Sequence, residues 1–150
     1  MNLNKRTLFK DIKTTLLRWG FNKQSLIRNS KGEWYLFSQI VLVLLHLIPP
    51  YPKIEHIAFS INALFIIIGL AISIKGLILV IKAIKDLGDN LTPLPYPMNE
   101  SNLIKNNSYK KNRHPLYKGL LLISLGICIF SLSIIHLFLL ISLAYILKIK

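Results

Sequence analysis

The chain has 150 residues, of which 53% are hydrophobic, and its formal net charge is +13 at pH 7. High hydrophobicity and a strongly basic balance coexist most easily when the apolar residues lie in lipid and the basic residues lie beside it. The lysines and arginines flank long apolar runs and do not spread over one polar face, so nucleic-acid binding is not expected. Cys128 is the only cysteine, so an intrachain disulfide is excluded.

Residues 1–33 are predicted to form a basic, interfacial N-terminal segment. Apolar residues recur there at helical spacing, on the face formed by Leu8, Phe9, Ile12, Leu16 and Trp19. This pattern predicts an amphipathic helix lying on an anionic membrane surface. A solvent-facing helix packed on the rest of the protein is the alternative, but little soluble core is available for it to pack against.

Residues 34–150 are predicted to form an all-α, polytopic membrane domain with about four transmembrane helices. The last apolar run is too long for one crossing of a ~30 Å hydrocarbon core at ~1.5 Å per residue, so a hairpin turn is expected near Ser131-Leu132-Ser133. The predicted spans are residues 34–48, 57–81, 116–131 and 133–147, and a re-entrant or tilted pair is the alternative for the last two, because each is short. His46, in the first span, is expected to be a hydrogen-bonded interior or interfacial histidine and not a metal ligand.

The distribution of basic residues predicts the orientation of these spans. The N-terminal segment, the polar loop 86–115 and the C-terminal end all carry lysines or arginines, whereas the two opposite connections carry only Lys53. Cytoplasmic segments of membrane proteins are enriched in these residues. We therefore expect a multi-pass integral membrane protein whose termini and long loop are cytoplasmic.

One polar segment, residues 109–117, stands immediately before the third predicted span. Arg113 and His114 lie there at a membrane boundary, and Pro115 is suited to the first turn of a helix. The residues therefore indicate an ordered polar cluster. An interfacial anchor, with basic residues for phosphate headgroups and tyrosines for the aromatic belt, explains the same composition slightly better when no other information is used.

Several motifs of the chain resemble the isoprenylcysteine carboxyl methyltransferase-like family of membrane methyltransferases. The matching elements are Leu87-Gly88 with the proline-rich stretch up to Pro95, then Tyr109, and Arg113-His114-Pro115-Leu116-Tyr117-Lys118-Gly119. Upstream, Arg18-Trp19-Gly20-Phe21, Gly32-Glu33-Trp34-Tyr35 and Pro49-Pro50-Tyr51-Pro52 are similar to the bacterial and plastid-type branch. The resemblance extends from about Arg18 to the end of the chain.

This resemblance implies a methyltransferase that uses S-adenosylmethionine and acts on a membrane-embedded or amphipathic acceptor, such as the carboxylate of an isoprenylcysteine-like group. It implies that Tyr109, His114, Pro115 and Tyr117 bind the cofactor. It also implies that Arg113 is a catalytic residue, which would orient a carboxylate through a bidentate pair. No metal site is expected. The implied partners are the lipid bilayer and a lipidic or prenylated acceptor, and a homo-oligomer is compatible with the sequence.

The chain departs from the family pattern at two places. The glycine that precedes the tyrosine element is replaced by Asn106-Asn107-Ser108. The family continues after the hairpin with a helix that contains two glutamates and a tyrosine-rich tail, whereas this sequence ends at Lys150. The expectation is therefore a C-terminally truncated member, with a non-catalytic remnant as the alternative. The sterol reductase-like membrane enzymes, which use a nicotinamide cofactor, are a weaker match.

Overall fold

The computed structural model of the protein describes residues 14, 23–30, 32–52, 59–88, 108–111 and 114–149. Its helices are α1 (Lys23–Arg28), α2 (Glu33–Leu45), α3 (Phe59–Leu87), α4 (Ser108–Lys111), α5 (Pro115–Ser131) and α6 (Ile134–Ile149). The predicted all-α fold is thus confirmed for the described residues. The predicted amphipathic helix near the N-terminus lies outside them.

Among the described helices, α3 is long and apolar enough to cross a membrane, as judged by length and composition. Helices α2, α5 and α6 are also apolar but shorter. The 17 residues of α5 extend over about 26 Å, which is less than the ~30 Å of a typical hydrocarbon core. Four crossings therefore stay a prediction.

The ends of helices α2 and α3 are explained by the residues that follow them. Helix α3 ends at Leu87, and Gly88 follows it with a left-handed φ of +48°, whereas the predicted span end at residue 81 stays a prediction. Helix α2 ends at Leu45, three residues before the predicted end, and a turn leads from there to Pro49. Pro49 and Pro50 have no N–H for the carbonyls of Leu45 and His46, and residues 46–48 instead bond to the carbonyls three residues earlier, so the regular helix stops at Leu45.

The turn between α5 and α6 lies where the sequence predicted it. Helix α5 ends at Ser131, Leu132 has a left-handed φ of +48°, and α6 begins at Ile134. Between them, the Ser133 hydroxyl accepts a hydrogen bond from the Tyr51 backbone N–H (3.0 Å) and donates one to the Tyr51 carbonyl (2.9 Å). This side chain therefore joins the hairpin turn to the segment that follows α2.

Helices α3 and α5 form the most extensive contact among the described helices, and they meet backbone to backbone at glycines. A Cβ atom added to Gly69 would lie 2.6 Å from the Gly126 carbonyl oxygen, and one added to Gly76 would lie 2.7 Å from that of Gly119. Going along α3 from Gly69 to Gly76, the partner on α5 changes from Gly126 to the earlier residue Gly119, so the two helices are antiparallel. We call these four residues the glycine interface; small residues allow this close approach of membrane helices.

Helix α2 is held by a buried polar group, the histidine–serine cluster of His46, Ser124 and His136. His46 Nδ1 donates to the Leu42 carbonyl (2.7 Å), because a carbonyl only accepts, and Nε2 of the neutral ring accepts from the Ser124 hydroxyl (2.5 Å). His136 Nε2 donates to the His46 carbonyl (3.4 Å). The predicted hydrogen-bonded role of His46 is confirmed, and the cluster links α2 to both α5 and α6.

Candidate functional site

The start of α5 is set by two consecutive residues. Pro115 is the first residue of the helix and is fully buried. Proline suits this position because its φ is already helical and it lacks the N–H that would have no intrahelical partner. His114 precedes it with a non-helical backbone (φ −135°, ψ 68°), and its carbonyl accepts from the Lys118 N–H at 3.1 Å. The His114 ring therefore stands just outside the helix end.

The imidazole of His114 stacks on the phenol ring of Tyr117. The ring centroids are 5.5 Å apart and the ring planes differ by 11°. Residues three apart lie on the same face at the start of a helix, which brings the rings together. His114 is exposed and Tyr117 is half-buried, so the pair forms a flat aromatic surface that is accessible from one side.

Tyr109 belongs to the short helix α4, which packs on α3. Burial raises the pKa of the Tyr109 phenol, and the negative charge of Asp86 and the nearby Tyr117 phenol raise it further. The packing of α4 on α3 places Tyr109 on the helix whose last turn carries Asp86, and the electrostatic effects on its pKa agree with that position. We call Asp86, Tyr109, His114 and Tyr117 the site cluster.

The structure therefore brings together three of the five residues that the resemblance implied. Pro115 is buried, where it fixes the start of α5, and its contact with a cofactor stays a prediction. Arg113 lies outside the described residues. Tyr109, His114 and Tyr117 come from two helices but lie at one end of the α3–α5 pair.

Asp86 is a member of the site cluster that the sequence interpretation missed. The sequence could have indicated this residue, because an acidic side chain is unfavourable at the carbonyl end of a helix dipole. The last turn of α3 carries Lys85, as that rule predicts, and Asp86 beside it as an exception. A carboxylate at such a helix end indicates a role in binding or in a local ion pair.

These features define a helical protein that is associated with membranes through at least the long apolar helix α3. It carries a polar and aromatic cluster where α3 ends and α5 begins. Residues 64–150 match the sequence profile of the family described as Phospholipid methyltransferase. The match covers more than half of the chain and includes the whole site cluster.

The chain therefore belongs to the phospholipid methyltransferase family, the same family of membrane methyltransferases as the isoprenylcysteine carboxyl methyltransferases. The resemblance seen in the sequence is thus confirmed at the level of the family. Its members generally use S-adenosylmethionine. No curated protein and no solved structure is significantly similar to the chain.

Proposed function

We propose that the protein is an S-adenosylmethionine-dependent methyltransferase that acts on a membrane-embedded or amphipathic acceptor. The observation that carries this proposal is the family match over residues 64–150, because it spans every residue of the site cluster. The cluster lies where the apolar helix α3 ends and the apolar helix α5 begins. A water-soluble cofactor and a lipidic acceptor can both reach such a position.

The site cluster suits the chemistry of this cofactor. The stacked rings of His114 and Tyr117 offer a flat face for an adenine, and electron-rich tyrosine rings attract a positively charged sulfonium. Asp86 would pair with the cofactor's amino group through charge-assisted hydrogen bonds. We propose Tyr109, His114, Pro115 and Tyr117 as the cofactor-binding residues, with Asp86 as an addition from the structure.

When bound, the cofactor supplies a methyl group whose bond to sulfur breaks as a bond to the acceptor forms, and the electron pair stays on sulfur. The residues of this chain contribute orientation and exclusion of water, which lower the barrier of such a displacement. Pro115 fixes the start of α5 and so the position of the aromatic pair. Arg113 is proposed to orient a carboxylate through a bidentate pair.

Two acceptors are candidates. The carboxylate of an isoprenylcysteine-like group is supported by the motifs shared with that branch and by the proposed role of Arg113. The amine of a phospholipid headgroup is the other candidate; in that case Asp86 would face the acceptor instead of the cofactor and accept the proton that the amine gives up as it is methylated. Either acceptor is an amphiphile that can enter from the membrane.

Transfer of a labelled methyl group tests the proposal and separates the acceptors. The full chain, reconstituted in lipid, would be incubated with methyl-labelled S-adenosylmethionine and either a prenylated cysteine or an aminophospholipid. Alkali releases the label of a methyl ester as volatile methanol, whereas an N-methyl label stays on the non-volatile headgroup because C–N bonds are not hydrolysed. We expect label in one of these forms and a loss of about tenfold or more in Tyr117→Ala, by removal of positioning contacts.

The matched control for that variant is Tyr145→Ala, since Tyr145 is an exposed tyrosine of α6. An equal loss in the control would show that removal of any tyrosine impairs the protein. Absence of label from both acceptors, with cofactor binding retained, would favour the non-catalytic remnant.

We also propose a multi-pass topology with cytoplasmic termini and a cytoplasmic loop 86–115. The charge distribution supports it. A membrane-impermeant thiol reagent would be applied from the opposite side to Asn102→Cys in a Cys128→Ser background. The topology predicts no labelling until the membrane is permeabilised, and labelling of intact cells from outside would contradict it.

A further inference from the structure

Helix α3 carries two exposed lysines on one face of an otherwise apolar surface. Lys75 and Lys82 are seven residues, or nearly two helical turns, apart, so their side chains leave the helix in nearly the same direction. Both are exposed. Lysines in such an environment extend their ammonium groups towards the membrane surface.

A third lysine comes from α5 at the same level. Gly119 packs between Gly76 and Val80 of α3: a Cβ atom added to it would lie 2.9 Å from the Gly76 carbonyl oxygen and 3.0 Å from the Val80 nitrogen. Lys118 immediately precedes Gly119 and is exposed. Its backbone therefore lies, along the axis of α3, between the levels of the two α3 lysines.

The three lysines share one side of the helix pair. Because α3 and α5 are antiparallel, the residues that precede the two contacting glycines, Lys75 and Lys118, turn towards the same side. On α5, the residue that contacts α2 is Ser124, which is six residues and about 240° of helical rotation from Lys118. Helix α2 therefore lies on a different side of α5, and the lysine side is not covered by it.

The level of these lysines corresponds to a membrane surface. A hydrocarbon core of ~30 Å, counted at ~1.5 Å per residue from the predicted start of the span at residue 57, ends about 20 residues further on. That point lies between Lys75 and Lys82, beside the start of α5. Ammonium groups that extend towards the membrane surface from there would reach the lipid phosphates, which lie immediately outside the hydrocarbon core.

We propose that Lys75, Lys82 and Lys118, here called the lysine surface, bind the phosphate of an anionic glycerophospholipid in the leaflet next to the start of α5. Asp86 lies one turn beyond Lys82 and competes for its charge, so Lys75 contributes more than Lys82. The proposal depends on α3 crossing the membrane and not on methyl transfer, so either can fail alone.

Titration with lipids, followed by native mass spectrometry of the detergent-solubilised protein, tests the lysine surface. The probes are phosphatidylglycerol and phosphatidylcholine with identical acyl chains. Each lysine at an anionic surface contributes about fivefold to binding, equivalent to ~1 kcal/mol. We expect the first phosphatidylglycerol to bind at least about tenfold more tightly than phosphatidylcholine, and Lys75→Gln/Lys82→Gln/Lys118→Gln to abolish that preference.

The matched control is Arg28→Gln/Lys110→Gln/Lys148→Gln, which removes the same charge from three exposed positions outside α3 and outside the first turn of α5. It should retain the preference to within about twofold. An equal loss in this control, or equal affinity of the unmodified protein for the two lipids, would overturn the proposal. If the triple glutamine variant does not fold, the single variant Lys75→Gln is the test: a loss of about fivefold supports the lysine surface, and no loss overturns it.

Discussion

Helix α5 is held on its two sides by different kinds of contact. Towards α3, the glycine interface brings two backbones within van der Waals distance. Towards α2 and α6, the histidine–serine cluster makes hydrogen bonds between buried side chains. Membrane helices gain little from transferring apolar side chains out of lipid, so close packing and polar contacts drive their association. This chain uses one mechanism on each side of the same helix.

The two sides also differ in their relation to the proposed function. The site cluster combines the end of α3 with the start of α5, so its geometry depends on how these helices meet at the glycine interface. The histidine–serine cluster instead positions α2, which contributes no residue to the site cluster. Disruption of the glycine interface should therefore affect stability and cofactor binding together, whereas disruption of the polar side should affect mainly stability.

The largest expected effect comes from enlarging a glycine of the glycine interface. In Gly69→Leu, the added Cβ would lie 2.6 Å from the Gly126 carbonyl oxygen and 2.7 Å from the Phe130 nitrogen, both backbone atoms that cannot move independently. We expect a loss of ~3 kcal/mol or more in unfolding free energy, because overpacking here separates the helices. Denaturant titration in detergent, followed by circular dichroism, measures it.

The control for this substitution is Ala71→Leu, which enlarges an exposed residue of the same helix. It should change the unfolding free energy by less than ~0.5 kcal/mol. Equal destabilisation by both substitutions would show that the glycine interface is not the main contact between α3 and α5.

A smaller effect on stability is expected from a substitution in the histidine–serine cluster. Ser124→Ala removes the hydroxyl that donates to His46 and leaves a buried ring nitrogen without its partner. We expect a loss of ~1–2 kcal/mol with little change in cofactor affinity. The same unfolding measurement applies, with the exposed Ser142→Ala as the matched control. A large loss of cofactor binding in Ser124→Ala would show that the histidine–serine cluster affects the site cluster as the glycine interface does.

The smallest expected effect is electrostatic. Asp86→Asn should lower the pKa of Tyr109, because the negative charge that opposes phenol ionisation is lost, while burial still holds the pKa above the ordinary 10.0. The pKa of Tyr109 follows from tyrosinate absorbance as the difference between each protein and its Tyr109→Phe counterpart. An unchanged difference titration would place Asp86 outside the site cluster.

The same shift predicts a pH dependence of stability. The folded state holds the Tyr109 proton more tightly than the unfolded chain does, since its pKa is raised. This contribution to stability is complete below pH 10.0 and is lost as the pH rises above it. Tyr109→Phe should therefore lose less stability above that pH than the unmodified protein.

The sequence was most informative where local chemistry determines structure. The apolar run that is too long for one crossing predicted the turn at Ser131-Leu132-Ser133, and the motif around His114 predicted the start of α5 and part of the site cluster. Leu87-Gly88 also indicated the end of α3, because a glycine just after the last helical residue readily adopts the left-handed conformation.

The contacts between helices that are distant in the sequence could not be predicted from local residue patterns. Nothing local in the sequence indicates that Gly69 meets Gly126 or that Lys118 lies beside α3, because these contacts depend on which face of each helix is used. Asp86 was missed for the same reason, since Tyr109, on whose pKa its charge acts, follows a long polar segment. Its only indication in the sequence is that an acidic residue in the last turn of α3 is unfavourable for the helix dipole.

Isothermal titration calorimetry of the lipid-reconstituted chain with S-adenosylmethionine tests most directly whether the site cluster is a methyl-donor site. We predict saturable binding that Tyr117→Ala or His114→Ala weakens by about tenfold, the loss expected when one stacking contact of ~1.4 kcal/mol is removed. Tyr145→Ala should leave the affinity unchanged. Absence of binding heat at millimolar cofactor, or equal affinity in all four proteins, would contradict the assignment.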